Sequence, residues 1–241
     1  SYLNLYDTEA AWKLVQRYRP AVFGAVPTVL AAALQVPIAG ADVSSLQRAS
    51  GGGAAIPVAV IQAYEKMGLP VLEVYGMTET ASVHCMGYPD MPRTPGTVGR
   101  PMPYSKVRVV RLDADGRDAG DCAADEIGVV AMAGPGVFSG YLSDVHNRGA
   151  FVAPGWVNSG DLGRLDATGQ LWITGRAKDL IIRGGHNIDP QAIEEVFYQH
   201  ADVALAALVS QPDAYAGELP VAYVQAKPGT QIGRASCRER V

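Results

Sequence analysis

Between Thr8 and Gly76 the apolar residues switch repeatedly between helical spacing and short continuous runs, and this alternation limits the fold more than any other feature of the chain. The stretch TEAAWKLVQRYR (Thr8 to Arg19) carries apolar residues at helical spacing behind Asp7, a side chain suited to an N-cap. AVFGAV (Ala21 to Val26) then reads as a buried strand, and Pro27 opens PTVLAAALQ as a second helix, at the position where proline is best tolerated. SLQRASGGGAAIP (Ser45 to Pro57) ends a short strand in a glycine-rich turn; VAVIQAYEKMG returns to helical spacing and VLEVYG to a strand. Helices alternating with strands predict α/β layering around a parallel sheet.

From about Gly96 the pattern changes. Prolines, glycines and short β runs dominate, as in KVRVVRLD (Lys106 to Asp113) and IGVVAMAG (Ile127 to Gly134), and helical signals nearly vanish. GRLDATGQLWITGR (Gly163 to Arg176) predicts a hairpin about Thr168-Gly169, and KDLIIRGGHNIDP two short strands bent at Gly184-Gly185. PQAIEEVFYQH (Pro190 to His200) is an amphipathic helix, followed by strands near Ala204 to Ser210 and Leu219 to Lys227. The expectation is an α/β plus α+β chain: residues 1–175 from a large domain, β-rich over 95–175, then a small α+β domain over 176–233. The last stretch, RASCRERV (Arg234 to Val241), is basic and without apolar periodicity; it reads as non-native sequence after a truncation, with a frayed natural terminus as the alternative.

Composition removes several function classes. The net charge is −4 and the basic residues are scattered, so no footprint for nucleic acid is present. Apolar stretches such as ADVALAALVS (Ala201 to Ser210) fall short of the roughly 20 residues that a bilayer span needs. Cys85, Cys122 and Cys237 are an odd number without metal-ligand spacing, which argues for a reducing, cytoplasmic setting.

The turn VYGMTET (Val74 to Thr80) carries the first chemistry. A strand ending at Tyr75-Gly76 puts Thr78 and Glu79 at the carboxyl edge of the sheet, where open α/β folds bind ligands. Thr78 can donate to a phosphoryl oxygen, Glu79 can hold Mg²⁺ through oxygen, and Tyr75 offers a flat face to a base. An ordinary loop with a surface glutamate is the competing reading of this turn alone.

Four further segments occur in order with it: SGGGAAIP (Ser50 to Pro57), GTVGRPMP (Gly96 to Pro103), WVNSGDLG (Trp156 to Gly163) and GRAKDLIIRGGHNIDPQAIEE (Gly175 to Glu195). Together they resemble the adenylate-forming superfamily of acyl-CoA synthetases, luciferase and peptide-synthetase adenylation domains, and FGAVPTVLAAAL (Phe23 to Leu34) extends the similarity upstream. The resemblance is nearest to an AMP-dependent acyl-CoA synthetase. It implies ATP/AMP, Mg²⁺ and CoA as the small molecules handled, with a carboxylic acid as substrate.

The roles it implies can be set against bland ones. Asp161 would accept the ribose hydroxyls, where its simpler role is capping a turn. Arg176 would meet the ribose and phosphate side, where an interdomain ion pair is the alternative. Gly51, Gly52, Gly53 and Ala54 would pack backbone against adenine and the acyl carbonyl, and Tyr75 and Gly76 belong to the same nucleotide site. Thr78 would contact the α-phosphate and Glu79 the magnesium. Phe23, Val26, Pro27 and Met77 match positions lining the acyl pocket, although apolar side chains are most often simply buried. Lys178 falls at a hinge between two half-reactions, and Gly184 and Gly185 border the path of the pantetheine thiol, or form a bulge. His186 reads as a surface residue.

The implied chemistry needs no covalent nucleophile, in keeping with histidines that form no base–nucleophile set. A Ser/Thr/Gly-rich phosphate loop upstream of Phe23 and a lysine past Pro228, both part of the family pattern, are not found in these 241 residues. The expectation is that this chain adenylates poorly by itself. An adenylation domain serving a carrier protein, and a non-catalytic nucleotide-binding piece, remain open beside the ligase reading.

Overall fold

Asp7 caps the first helix as expected: its Oδ1 accepts from Ala10 N at 3.0 Å, and helix α1 runs Thr8–Tyr18 with Trp12 and Val15 buried. The helix ends where Arg19 turns left-handed (φ 49°) and its N–H closes on Val15 O. In this computed structural model, which describes residues 7–35, 42–88, 90–92, 94–227 and 229–230, strand β1 (Val22–Gly24), α2 (Pro27–Gln35), β2 (Arg48–Gly52), α3 (Val58–Lys66) and β3 (Val71–Tyr75) follow in alternation. The stretch Arg234 to Val241 lies outside the described residues.

β1, β2 and β3 are parallel, with Phe23 opposite Ala49 and Ser50 opposite Leu72. The three strands therefore end on one edge. The core under them is a single apolar cluster that includes Trp12, Leu30, Ala49, Ile61, Tyr64 and Val71, and the Tyr64 hydroxyl donates to Leu30 O at 3.0 Å. The sheet is not purely parallel. Two short strands, β4 (Cys85–Met86) and β5 (Arg100–Pro101), extend it antiparallel in the order β1-β2-β3-β4-β5. Strands this short carry no apolar period, so the sequence pattern gives no sign of them.

A second sheet follows, built from β6 (Lys106–Leu112), β7 (Asp118–Asp121), β8 (Gly128–Ala133), a short α4 (Asp144–Asn147), β9 (Phe151–Ala153), β10 (Trp156–Leu165) and β11 (Leu171–Arg176). Its order is β11-β10-β8-β6-β7, with β9 on β10. β8 is buried along Val130–Ala133 because clusters form on both its sides: Val130 and Met132 meet Cys85, Val109, Val157 and Leu171, whereas Ala131 meets Val110 and Val152. This explains why IGVVAMAG is a continuous apolar run rather than an alternating one.

The third sheet is antiparallel, order β13-β12-β15-β14, from β12 (Ile181–Arg183), β13 (His186–Ile188), β14 (Val203–Asp213) and β15 (Gly217–Ala226), with α5 (Pro190–Tyr198) between β13 and β14. α5 is tied to β14 by Tyr198, whose hydroxyl donates to Ala206 O at 3.2 Å, and by Glu194, which accepts from Leu208 N at 2.8 Å. The chain divides into two compact units, Ser1–Ser159 with Arg164–Ile173, and Gly160–Gly163 with Thr174–Val241.

Candidate functional site

The common edge of β1, β2 and β3 gathers most of the predicted residues. Ala25 to Pro27 leave β1, Gly53 and Ala54 leave β2, and Gly76 to Glu79 leave β3. The local reasons differ. A Cβ on Gly51 would lie 2.8 Å from Ala25 O, and one on Gly52 2.1 Å from Val74 O, so the fold itself demands glycine at both positions. Gly53 is different: its φ of +86° is left-handed and nothing lies within 4 Å of where a Cβ would stand. Its backbone faces open space.

The turn after β3 is a single 3-10 turn, Thr78–Thr80. Thr80 is buried, and its hydroxyl both accepts from Met77 N (3.2 Å) and donates to Met77 O (3.0 Å), closing the turn on itself. Ala81 (φ 57°) and Ser82 (φ 85°) then adopt left-handed backbone, which costs about 1–2 kcal/mol per non-glycine residue and is a mark of functional turns. Ser82 N returns to Met77 O and His84 N to Tyr75 O. The result is an exposed Thr78 hydroxyl and a half-buried Glu79 on a turn braced from behind.

Glu79 has a partner the sequence did not signal. The Tyr141 hydroxyl donates to Glu79 Oε1 at 2.5 Å, and Phe138 N donates to Glu79 O at 2.8 Å. The hydrogen bond to Glu79 pushes the Tyr141 phenol pKa up, since the carboxylate favours the protonated phenol. Among the described residues no three His, Cys, Asp or Glu side chains gather as a metal site. One carboxylate beside a hydroxyl nevertheless fits magnesium, an ion usually held by one or two carboxylates together with substrate phosphates and water.

The predicted acyl-pocket residues divide between surroundings. Phe23 packs on the first core cluster, its ring 5.1 Å from Trp12, and Pro27 is buried, whereas Val26 is exposed. Tyr75 and Met77 are half-buried against the second cluster beside Cys85. Burial pushes the Cys85 thiol up to about 12, so it stays protonated and is no nucleophile. A small recess of about 30 Å³ lined by Ile61, Glu73, Met86, Tyr88, Met91 and Arg100, among others, contains none of the predicted site residues.

In the second unit, Asp161 is buried to 8% exposure near the middle of β10, and Arg176 Nε donates to its Oδ1 at 3.1 Å. Both residues fall in the same compact unit. Gly175 adopts a backbone (φ 153°) that side-chain-bearing residues rarely take, and a Cβ there would stand 2.8 Å from Asp189 Oδ1, so that carboxylate would have to move. Lys178 is exposed in the turn after β11, where Asp179 N closes on Arg176 O at 3.0 Å. Gly184 (φ 55°) and Gly185 (φ 84°) make the left-handed reversal between β12 and β13, which is why glycine occupies both, and His186 is exposed beside them.

Residues 3–142 match the family model described as AMP-binding enzyme, more than half of the chain. The chain belongs to that family. Residues 192–241 match a second model, AMP-binding enzyme C-terminal domain. The chain is 45% identical over 222 residues to marinolic acid–CoA ligase of Pseudoalteromonas sp., covering 92% of this chain and 34% of that protein. Among solved structures it is similar to ATP-bound MatB from Rhodopseudomonas palustris (TM-score 0.87, 30% identity, 97% of this chain and 46% of that one). It is similar also to o-succinylbenzoate coenzyme A synthetase from Bacillus subtilis in complex with ATP and a magnesium ion (TM-score 0.80, 30% identity, 98% of this chain and 48% of that one). The chain thus spans about a third to a half of the length of these relatives.

Proposed function

We propose that the whole protein of this AMP-binding enzyme chain is an AMP-forming acid–thiol ligase that makes acyl-CoA. The observation that carries the reading is the braced turn at the carboxyl edge of β3, which offers an exposed hydroxyl and a carboxylate where a triphosphate would be handled. The oxygen of the substrate carboxylate attacks the α-phosphorus of ATP, the bond to pyrophosphate breaks, and an acyl-adenylate forms. The thiol sulfur of CoA then attacks the acyl carbonyl and AMP leaves.

In this scheme Thr78 donates to an α-phosphate oxygen, Glu79 holds Mg²⁺, and Tyr75 lies against the base. Bound magnesium would supply positive charge for the phosphate oxygens as negative charge develops on them. Gly53 and Ala54, after the packed pair Gly51-Gly52, offer backbone to adenine and the acyl carbonyl. Asp161 accepts the ribose hydroxyls, and Arg176, its hydrogen-bond partner, meets the ribose and phosphate side. Gly184 and Gly185 border the thiol's path. Val26 and Met77 are the pocket residues with surface to give to an acyl chain, and Phe23 and Pro27 support them from the core.

An apolar lining favours a fatty or aromatic acid, and the relation to marinolic acid–CoA ligase favours CoA over a carrier protein. The use of ATP and CoA makes a cytoplasmic setting the natural one. The test is the protein from its complete reading frame with ATP, Mg²⁺, CoA and a panel of acids, read by mass spectrometry. Acyl-CoA with AMP is expected. Adenylate accumulating without CoA ester would assign the thiol to a carrier protein, and absence of product with every acid would sink the ligase reading. Asp161→Ala is expected to weaken AMP binding by about 10-fold or more, the worth of hydrogen bonds to a charged group.

A further inference from the structure

We propose that Tyr141 is a positioning residue for Glu79: the loop between β8 and α4 holds the Glu79 carboxylate in the orientation that its magnesium role requires. The proposal rests on the reading of Glu79 as the magnesium ligand.

Residues 79 and 141 are 62 positions apart, so nothing local joins them, yet the contact is charge-assisted and short at 2.5 Å. Tyr141 is 40% exposed. An exposed tyrosine ordinarily has no fixed direction, and a hydrogen bond through it is weak because the ring must be ordered first. Here the ordering is built in.

Asn147, at the end of α4, clasps the Tyr141 backbone from both sides: its Oδ1 accepts from Tyr141 N at 2.6 Å and its Nδ2 donates to Tyr141 O at 3.1 Å. The Tyr141 ring meets Phe138 edge-on, centroids 4.8 Å apart and planes at 74°, and Phe138 in turn stacks on Phe151 of β9 at 5.5 Å. The same loop grips the main chain of the catalytic turn. Phe138 N donates to Glu79 O, and Gly136 lies so close to Thr80 that a Cβ there would stand 3.0 Å from Thr80 O.

Glu79 is thus held at its carbonyl and at one carboxylate oxygen by one loop, and that loop is anchored to α4 and β9. A carboxylate has about four acceptor sites, and Tyr141 uses one of them. Groups that orient a metal-ligating carboxylate typically matter by about 10–100-fold in metal affinity. The segment GVFSGYLSDVHN carries no local sign of this role, because the partner that gives Tyr141 and Asn147 meaning lies in another segment.

The experiment uses the protein from its complete reading frame. ATP binding is followed by titration calorimetry across a Mg²⁺ series and in EDTA, for the parent, Tyr141→Phe, Asn147→Ala, Glu79→Gln and the double variant Tyr141→Phe/Glu79→Gln. The expected result is a rise of about 10-fold in the Mg²⁺ concentration at half-effect for Tyr141→Phe, with ATP affinity in EDTA unchanged. Asn147→Ala should move the same quantity in the same direction by less. The double variant should equal Glu79→Gln alone, because Tyr141 acts only through that carboxylate.

Tyr141→Phe keeps the ring against Phe138, so the loop retains its packing, and a purely structural role would weaken binding in EDTA as well. If Tyr141→Phe and Asn147→Ala follow Mg²⁺ as the parent does while Glu79→Gln loses the response, the proposal is overturned and the reading of Glu79 stands. If Glu79→Gln keeps the parent's response, the magnesium reading of Glu79 fails and the proposal falls with it.

Discussion

At Gly76 the packing of the fold alone is enough to demand glycine. A Cβ there would stand 1.7 Å from Ser82 O and 2.9 Å from His84 N, both backbone, and His84 N is committed to Tyr75 O. No side chain can swing away to make room. Gly76→Ala is expected to cost about 3 kcal/mol or more, the upper end of overpacking effects. Gly53→Ala meets open space and pays only for left-handed backbone, about 1–2 kcal/mol. Urea unfolding midpoints of the two variants decide it, and equal losses would contradict the argument. From the sequence both glycines are expected at the nucleotide site. The structure separates them because close packing between β3 and the segment after it depends on where distant backbone runs, which no local pattern encodes.

At the scale of elements, the β10–β11 hairpin turns on Asp166. Its Oδ1 accepts from Thr168 N (2.8 Å), Thr168 Oγ1 (2.7 Å) and Gln170 N (3.0 Å), and its Oδ2 from Trp172 Nε1 (3.0 Å). Partial burial pushes the Asp166 pKa up, but the hydrogen bonds from Thr168, Trp172 and Gln170 outweigh it and hold the carboxyl well below the usual range. A group whose folded pKa is depressed contributes its stability above the unfolded pKa, near 3.9, and loses it as pH falls through the folded value. Asp166→Asn should therefore destabilise by about 1–3 kcal/mol at neutral pH, with the gap from the parent closing below about pH 4. Thermal unfolding from pH 7 to pH 3 tests this, and a gap constant with pH would refute it. This hairpin was legible in DATG, as were the Asp7 cap and the Gly184-Gly185 reversal, because turn chemistry is local. The antiparallel pair β4 and β5 was not legible, nor was the Thr80 lock or the Tyr141 brace. Each depends on a partner supplied by the tertiary fold, and the order of the sequence segments could point to Thr78 and Glu79 without saying what holds them still.

For the whole molecule the informative fact is where the two units are joined. Both β10 and β11 pass across the division: Gly160–Gly163 and the chain from Thr174 belong to the second unit, while Arg164–Ile173, the hairpin between them, belongs to the first. Asp161 and Arg176 therefore sit in the parts of these two strands assigned to the second unit, next to the exposed turn that carries Lys178. If that turn is a hinge used between adenylation and thioester formation, its backbone angles must change while the strands on either side keep theirs. Proline at 178 fixes φ near −65° and removes freedom from that one position. In the protein from its complete reading frame, Lys178→Pro is expected to keep pyrophosphate release within about 2- to 3-fold of the parent while acyl-CoA formation falls by about 100-fold or more, since a blocked conformational step can remove one half-reaction without touching the other. Lys178→Ala, which leaves the backbone free, should cost far less in both steps. Measuring pyrophosphate and acyl-CoA separately in single-turnover reactions separates the possibilities: a parallel fall in both would mean that Lys178 serves the chemistry or the fold, and no fall in either would place the moving point elsewhere in the chain.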